Sequence, residues 1–588
     1  MRVAARVAVV LAAVVTLSVP AVAQAASPPG PVFADGQAQA VFDPADVVRE
    51  DVWVTAPVDS DHDGQPDRVH AQVVRPKATE LGMKVPVVYE ASPYFAGGND
   101  VANHDVDKEL YVPGPHAAEP IEWAYQDYFT ARGFAVVYGE SLGTGLSTGC
   151  PTTGGANETI GARSVVDWLN GRAPAHDAAG TSVTAGWSTG KTGMMGVSYN
   201  GTLPNAVAST GVEGLETIVP IAAISSWYEY YRTDGAVVAA GGFQGEDTDV
   251  LADYVYTRAD REICRPVIDQ LTASQDRVTG DYGPYWDVRN YRNDVAKVRA
   301  SVLAVHGLND WNVKTDQVAQ WYEALKAHGV EHKIWLHQAA HADPISLRRD
   351  VWLLTLNKWM SHYLYGIENG IEEEPKATIQ REDKSWTDEA DWPAPGTADA
   401  SLHPWPGGGA TGTLAGQQVP GNPAVESLAD DASKTIEQLA DAASSGNRLR
   451  YASSAATRAL RLSGTAHADL RLSFDRPAAN VTAVLLDRAP DGSSHVISRG
   501  WTDPQNRVSP AVTTPITPGQ RYPIRVDLMP KDYVLAAGHR LEFVLASSDH
   551  DYTLRPRPGA GLSLDLTGTT VTLPVVGGKT ALGEAFLR

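Results

Sequence analysis

The chain has 588 residues and a formal net charge of -22, because 70 acidic residues outnumber 48 basic ones. Such an excess argues against a surface for nucleic acid or for an anionic membrane, since both require clustered lysine and arginine. The length exceeds the usual range of a single domain, so we expect two or three domains.

The first residues, MRVAARVAVVLAAVVTLSVPAVAQAAS, have the layout of a secretory signal peptide. Two arginines precede an apolar run that Pro20 ends, and residues 23–25 (AQA) offer a small-x-small cleavage site. We therefore expect residues 1–25 to be removed, giving a secreted protein with no membrane contact after cleavage. An uncleaved anchor is the alternative, although the apolar run is short beside the roughly 20 residues of a membrane span.

Next along the chain, the segment DSDHDGQPDRV has the oxygen-rich spacing of a calcium loop. Its carboxylates belong to Asp59, Asp61, Asp63 and Asp67. The bidentate acid of such a loop is missing, because His70 stands at the twelfth place. A turn between two strands is the preferred interpretation. We expect no cofactor, with a structural calcium at Asp59, Asp61 and Asp63 as the alternative.

Between residue 85 and about residue 341, short apolar runs alternate with amphipathic ones. The segments VPVVYE, GFAVVYGE, GMMGVS, TIVPIAA, SVLAVHG and HKIWLH are predicted strands, and GARSVVDWLN and QVAQWYEALKAHG are predicted helices. This alternation predicts an α/β fold with a mostly parallel sheet and helices on both faces. Ligands of such sheets bind beyond the carboxyl ends of the strands.

Two further regions interrupt or follow this pattern. From about 225 to 299 the strand pattern lapses into helical stretches, which predicts a lid inserted over the functional edge of the sheet. After about residue 370, short strands alternate with turn residues, which predicts an antiparallel β-sandwich. The expected domains are therefore 26–370 and 371–588.

The segment GVSYNG holds a serine between a predicted strand and a helix-compatible stretch. This is the arrangement of the nucleophile elbow of α/β-hydrolases, where glycines relieve crowding between strand and helix. The sequence departs from G-x-S-x-G, because Asn200 takes the place of the last glycine and Gly201 follows it. By itself the motif predicts Ser198 as a nucleophile only weakly.

Two partners strengthen the prediction. Asp310 is the first carboxylate after the strand in VLAVHGLNDWNV, and His341 follows the strand in IWLHQAAHADP. The order Ser198, Asp310, His341 is the chain order of a hydrolase triad. His341 would remove the serine proton, and Asp310 would orient the imidazole and stabilise its charged form.

Other residues compete for these roles. Asp316 and Asp343 are alternative acids, since orientation selects the acid. His306 and His337 lie on or near strand ends, and we expect them to be buried, hydrogen-bonded histidines.

An oxyanion hole needs donors aimed at the developing alkoxide. The backbone N–H of Tyr199, directly after the serine, is one candidate. The phenol of Tyr94, in the loop after an early strand, is the other, and a packing role is its alternative.

The two cysteines, Cys150 and Cys264, would form one disulfide in an exported chain. Two separate buried thiols are the alternative.

From residue 196 to 252 the chain resembles the Xaa-Pro dipeptidyl-peptidases, in the serine peptidase family that includes cocaine esterase and the α-amino-acid ester hydrolases. The segments that carry this resemblance are GVSYNGTLPNA, TGVEGLETIVP, ISSWYEYYR and GGFQGED. The resemblance implies an α/β-hydrolase core, a helical lid and a C-terminal jelly-roll sandwich. Cytosolic lactic-acid-bacterial members carry an N-terminal helical dimerisation domain for which this chain has no room, so that dimer is not expected and the oligomeric state is open.

The resemblance also implies residue roles. It makes Ser198, Asp310 and His341 the catalytic residues, and Tyr94 with the Tyr199 amide the oxyanion hole. It places the free amino terminus of the substrate against Glu246 and Tyr230, with Trp227 lining the proline pocket. Asp247 is the alternative anchor.

The function implied is that of a secreted serine exopeptidase, which releases Xaa-Pro dipeptides through an acyl-enzyme. Its partners would be peptides with proline or alanine at the second position. An esterase or acylase of the same fold is the first alternative. The second is a non-catalytic secreted protein that binds carbohydrate.

Overall fold

The computed structural model describes residues 30–104, 123–418, 424–554 and 559–586, with Met1, Gly114 and Ala117 besides. The predicted signal peptide lies, after Met1, outside the described residues. No helix in the described ranges is long and apolar enough to cross a membrane.

A twelve-stranded sheet forms the centre of the first domain. Its main strands are β1 (Val47–Thr55), β2 (Arg68–Pro76), β3 (Val85–Ser92), β4 (Ala135–Glu140), β5 (Ser188–Val197), β6 (Leu215–Ile221), β7 (Ser301–Gly307), β8 (His332–His337), β9 (Ala377–Gln380) and β10 (Trp386–Glu389). They lie in the order β1-β2-β4-β3-β5-β6-β7-β8-β9-β10, with the short strands Ala175–His176 and Ser182–Val183 beyond β1. The strands from β4 to β9 are parallel, whereas β1, β2 and β10 are antiparallel to their neighbours.

Helices cover both faces of this sheet. The helices of the chain are α1 (Trp123–Thr130), α2 (Ala156–Leu169), α3 (Tyr199–Ala208), α4 (Trp227–Tyr231), α5 (Thr248–Val255), α6 (Arg265–Ser274), α7 (Pro284–Asp287), α8 (Thr315–Ala327), α9 (Ile345–Tyr365), α10 (Ile436–Asp441) and α11 (Gly578–Phe586). Alternate residues of β7 enter two separate cores: Val302 packs in the core with α2, α3 and α8, and Leu303 in the core with α1 and α9. A strand buried on both faces needs apolar residues at every position, which explains the continuous run SVLAVHG.

The predicted lid lies between β6 and β7 and contains α4 to α7. It is joined covalently to the core, because Cys264, at the start of α6, forms a disulfide with Cys150 in the loop after β4. Beside this bond Arg258 of the lid pairs with Asp61 at 2.7 Å. The lid is therefore fixed to the core at a point far in sequence from its two ends.

The C-terminal domain is a β-sandwich. Its strands are β11 (Thr397–Trp405), β12 (Gly412–Ala415), β13 (Val425–Ala429), β14 (Leu449–Ala452), β15 (Leu460–Gly464), β16 (His467–Phe474), β17 (Val481–Arg488), β18 (Ser494–Thr502), β19 (Arg521–Asp527), β20 (Lys531–Leu535), β21 (Arg540–Ala546), β22 (Gly561–Asp565) and β23 (Thr570–Val576). The first part of β11 pairs with β23 and the last part with β12, so this strand joins the two groups of strands whose apolar residues share one core.

The predicted fold class, an α/β-hydrolase core with an inserted lid and a C-terminal β-sandwich, is confirmed. The jelly-roll form of the sandwich stays a prediction. The central sheet continues past the expected boundary at residue 370, because β9 pairs with β8 and β10 with β9.

The sandwich also contacts the lid through backbone hydrogen bonds. Ala239 N–H donates to Tyr552 O at 3.0 Å, and Tyr282 N–H donates to Pro510 O at 2.8 Å. The lid is thus held between the core and the C-terminal domain.

We expect Cys150 and Cys264 to be joined in the purified exported protein. Mass spectrometry after thiol alkylation without reduction should find neither cysteine modified. Because the bond spans 114 residues, replacing both cysteines with serine should lower the free energy of unfolding by about 2–5 kcal/mol, as measured by denaturant titration. Two alkylated cysteines in the unreduced protein would contradict the pairing.

Candidate active site

Ser198 lies on a sharp turn between β5 and α3. Its backbone has φ 64° and ψ -124°, a conformation that non-glycine residues rarely adopt. The turn brings the chain close to itself, because a Cβ on Gly201 would lie 2.7 Å from both Gly196 O and Ile221 O. The close approach therefore requires glycine at 201, and Asn200 is tolerated one residue earlier, where its amide donates to Glu90 at 2.8 Å.

Asp310 and His341 meet at the ends of the neighbouring strands β7 and β8. The distance from His341 Nδ1 to Asp310 Oδ2 is 2.6 Å. The other oxygen, Asp310 Oδ1, accepts the N–H groups of Asn312 at 2.9 Å and Val313 at 3.1 Å. These bonds fix the carboxylate and orient the imidazole, which leaves His341 Nε2 as the atom available to a substrate or a serine hydroxyl.

The competing residues have other partners. Asp343 lines the cavity but accepts the phenol of Tyr125 at 2.7 Å, and Asp316 is buried in the first turn of α8, where burial raises its pKa. His306 is fully buried, with Nε2 2.8 Å from Val313 O, and burial lowers its pKa. His337 lies 3.2 Å from Ala342 O through Nε2, and burial lowers its pKa to about 4. Neither histidine forms the short contact to Asp310 that His341 forms.

The two residues predicted for the oxyanion hole lie next to Ser198. The backbone N–H of Tyr199 is in the first turn of α3, whose unpaired N–H groups favour negative charge. The rings of Tyr94 and Tyr199 pack edge to face with centroids 6.0 Å apart. The Tyr199 phenol points away, because it donates to Glu158 at 2.6 Å. Its contribution at the serine is therefore its backbone N–H.

A cavity of about 610 Å³ opens at the serine. Its lining includes residues of the lid and of the loops around it, namely Asn103, Tyr230, Phe243, Glu246, Leu251 and Asn312. It also includes residues of the core, namely Val88, Phe129, Val136, Tyr138, Met195 and Ile345. Ser198, Tyr94 and His341 line the same cavity, so the predicted catalytic and oxyanion side chains share one space with the lid.

Glu246 and Asp247 are adjacent in sequence but have opposite environments. Asp247 is fully buried and pairs with Arg232 at 2.9 Å and Arg277 at 2.6 Å. Glu246 lines the cavity, and its Oε1 accepts the phenol of Tyr231 at 2.7 Å. Burial is the largest cause that raises the pKa of Glu246 to about 7. Asp247 thus stabilises the lid, and Glu246 is the one of these two neighbours that lines the cavity.

The position of Trp227 requires a correction. The sequence resemblance implied that it lines the proline pocket, but its side chain is fully buried, and its indole N–H donates to Tyr291 at 3.0 Å. Its ring packs against those of Tyr199 and Tyr230 at 4.8 and 5.6 Å. Tyr230 does line the cavity, with its phenol donating to Asn312 at 2.8 Å. Trp227 therefore supports the cavity wall from behind.

Comparisons with known proteins identify the family of this chain. Residues 63–343 match the model of the X-Pro dipeptidyl-peptidase (S15 family), and residues 369–581 match that of the X-Pro dipeptidyl-peptidase C-terminal non-catalytic domain. A Bacillus anthracis protein that carries the name "Putative Xaa-Pro dipeptidyl-peptidase" is 47% identical over 92% of this chain and 90% of its own. The chain belongs to the S15 family of X-Pro dipeptidyl-peptidases.

Two other relatives extend the comparison. The Xaa-Pro dipeptidyl-peptidase of Lacticaseibacillus rhamnosus is 34% identical over 93% of this chain and 79% of its own. An aminopeptidase from a marine sediment Thaumarchaeota archaeon shares the fold, with a TM-score of 0.65, 16% identity and coverage of 91% of this chain and 97% of its own. Members of the S15 family are serine peptidases, so the protein is an enzyme, and the non-catalytic carbohydrate-binding alternative is set aside.

In this S15 peptidase the candidate metal cluster differs from the predicted one. The carboxylates that lie within 4.8 Å of one another belong to Asp59, Asp61 and Asp67, not to Asp63. Asp63 instead accepts the N–H of Gln65 at 2.7 Å within the turn. Arg258 already places a positive charge at Asp61, 2.7 Å away. The three carboxylates have the ligand type that calcium prefers, and an ion there would share Asp61 with Arg258.

The sequence alone does not indicate several residues at the site of this S15 peptidase. Asn312 follows Asp310 by two residues, but only the structure shows that it contacts Tyr230. Phe243 lies in the segment GGFQGED, which marks the lid without assigning this ring to the cavity. Lys531, more than 200 residues along the chain from Asp310, donates to the carbonyl oxygen of Leu308.

We expect Ser198→Ala and His341→Ala each to lower kcat by several orders of magnitude, because members of a catalytic triad act as a unit. His306→Ala and His337→Ala should lose much less, since neither imidazole pairs closely with Asp310. Steady-state kinetics on a dipeptidyl anilide, with circular dichroism to check folding, measures both. If His341→Ala is active and His337→Ala is inactive, His341 is not the catalytic base.

Proposed function

We propose that the protein is a secreted serine exopeptidase that releases Xaa-Pro dipeptides from the free amino terminus of peptides. The observation that carries this proposal is Glu246. It is a carboxylate in the same cavity as Ser198, and within the described residues no cation forms an ion pair with it. The ammonium of a substrate would supply the missing charge through a charge-assisted hydrogen bond.

The chemistry proposed at Ser198 has two stages. His341 Nε2 takes the hydroxyl proton as Oγ attacks the carbonyl of the second substrate residue, while Asp310 stabilises the imidazolium. The oxyanion accepts hydrogen bonds from the Tyr199 N–H and the Tyr94 phenol. Collapse expels the amine of the third residue, which receives the proton from His341, and leaves the dipeptide as an ester on Ser198.

In the second stage water replaces the amine. His341 takes a proton from water as the hydroxide attacks the ester carbonyl, and the proton then passes to Ser198 Oγ as the dipeptide leaves. The distance between Glu246 and Ser198 within one cavity would set the number of residues removed. A longer substrate extension at the amino end would meet the lid wall that carries Glu246.

Secretion is part of the proposal. A disulfide between Cys150 and Cys264 suits an oxidising compartment, and no other cysteine exists in the chain. Amino-terminal sequencing of protein recovered from culture medium should begin at residue 26. A cell-bound protein that retains residues 1–25 would contradict secretion.

We expect Glu246→Gln to lower kcat/KM for Ala-Pro-anilide, with a loss of transition-state stabilisation of about 2 kcal/mol or more, because it removes one partner of a desolvated charge pair. The N-acetylated substrate should be refused by the wild type, since it lacks the charge and adds bulk. Glu229→Gln is the matched control: Glu229 is a lid carboxylate that does not line the cavity and pairs with Arg292 at 2.6 Å.

The outcome that would contradict the proposal is equal cleavage of blocked and free substrates. A second contrary result is a Glu246→Gln variant that behaves like Glu229→Gln. Either would favour the alternative, an esterase or acylase that acts on small acylated substrates.

The preference for a free amine should depend on pH. The pKa of Glu246 is about 7, so its charge is lost below that value, and the substrate ammonium loses its proton above about 8. We expect the ratio of kcat/KM for Ala-Pro-anilide to kcat/KM for a short p-nitrophenyl ester to rise as pH approaches about 7 and to fall above about 8. The ester uses the same His341, so the ratio isolates amine recognition, and Glu246→Gln should flatten its lower limb.

A further inference from the structure

Lys531 is a buried lysine of the C-terminal sandwich that reaches into the catalytic domain. It is the first residue of β20, and its side chain is 5% exposed. Its ammonium donates to the carbonyl oxygen of Leu308, two residues before Asp310. The same ammonium lies 4.4 Å from the centroid of the Trp311 ring, directly after Asp310. One side chain of the second domain thus contacts the chain both before and after Asp310.

A buried ammonium is unfavourable unless its surroundings compensate for lost water. Burial lowers the pKa of Lys531 to about 7, and Asp310 is the acidic group that opposes this shift. Within the described residues Lys531 forms no ion pair with a carboxylate, and the neighbouring acid Asp532 pairs with arginines instead. Its compensation therefore comes from the Leu308 carbonyl, the Trp311 ring and the charge of Asp310, all in one loop.

The loop from Leu308 to Val313, which Lys531 contacts, is also packed against the loop that carries His341 and against the sandwich. A Cβ on Gly307 would lie 2.1 Å from Ala340 O, so the loops that carry Asp310 and His341 are packed backbone to backbone. On the outer side, Arg499 of the sandwich lies 4.9 Å from the Trp311 ring centroid. A shift of the loop that carries Asp310 would therefore also displace the loop that carries His341.

The strand that carries Lys531 is itself fixed to the catalytic domain. Asp532, the next residue, pairs with Arg381 at 2.6 Å, just after β9 of the central sheet. Asp532 also pairs with Arg461 of the sandwich at 2.9 Å. The point of attachment for Lys531 is thus rigid relative to the central sheet.

From these contacts we propose that Lys531 is a positioning residue, through which the C-terminal domain holds the Asp310 loop in the geometry that orients His341. The inference rests on the proposed roles of Asp310 and His341. It gives the C-terminal domain an indirect part in the reaction, since a misplacement of about 1 Å can cost about a hundredfold in rate.

The test is Lys531→Met, which keeps the length and apolar bulk of the stem but removes the donor and the charge. We expect kcat to fall about ten- to hundredfold on both Ala-Pro-anilide and a short p-nitrophenyl ester. KM should change little, because Lys531 does not line the cavity. The rate at which a fluorophosphonate labels Ser198 should fall in the same proportion as kcat.

Lys333→Met is the matched control. Lys333 is another buried lysine, 7% exposed, whose ammonium donates to a backbone carbonyl, that of Pro375, at 3.0 Å. It lies in β8 and contacts neither the acid loop nor the cavity. We expect this variant to lose thermal stability without losing kcat per labelled Ser198.

Equal kcat per labelled serine in Lys531→Met and Lys333→Met would overturn the proposal, since Lys531 would then only stabilise the fold. If Lys531→Met yields no folded protein, Lys531→Gln, which keeps an N–H donor without the charge, should be partly impaired in kcat, and a fully active Lys531→Gln would also overturn it. The ester separates this test from the proposed specificity. If the wild-type enzyme cleaves only the ester, the Xaa-Pro proposal is wrong, and the ester assay still tests the role of Lys531.

Discussion

A single buried carboxylate, Asp310, has to remain charged without an arginine or lysine within ion-pair distance among the described residues, and much of the surrounding structure answers that requirement. Backbone N–H groups of its own loop solvate one oxygen, and His341 takes the other. Lys531 and Lys314 act on this carboxylate by charge from beyond ion-pair distance, so the short contact to Asp310 Oδ2 is left to His341. The loop that provides the amides must then be held in place, and the packing of the β7 and β8 loops and the contacts from the sandwich do so.

Two neighbouring acids of the lid have opposite environments, and only one of them places a carboxylate at the cavity wall. Arg232 and Arg277 neutralise Asp247, so this acid can be buried at the start of α5. Glu246 accepts a phenol and forms no ion pair among the described residues, although the charge of the buried Lys314 opposes the rise of its pKa. A turn that places consecutive side chains on opposite sides lets one acid stabilise the lid while the other lines the cavity.

The sequence predicted the parts of the site that follow from strand order. The bounds of β7 and β8 agree with SVLAVHG and HKIWLH, because strands buried on both faces are continuous apolar runs, and Asp310 and His341 follow them directly. β5 begins earlier than predicted, at Ser188, where the run is polar and partly exposed. Side-chain direction was not predictable: Trp227 turns into the core, and Asp67 replaces Asp63 in the carboxylate cluster. The contact of Lys531 with Leu308 joins two domains, and no local pattern encodes it.

The disulfide between Cys150 and Cys264 makes the attachment of the lid different in kind from that of the Asp310 loop. Cys150 and Cys264 pack in one apolar cluster with Ala252 of α5, in the same helical layer as the residues after Glu246. The loop that carries Asp310 contains no cysteine, and noncovalent contacts hold it. Reduction of the disulfide would therefore remove the covalent attachment of the lid and leave the contacts of this loop in place.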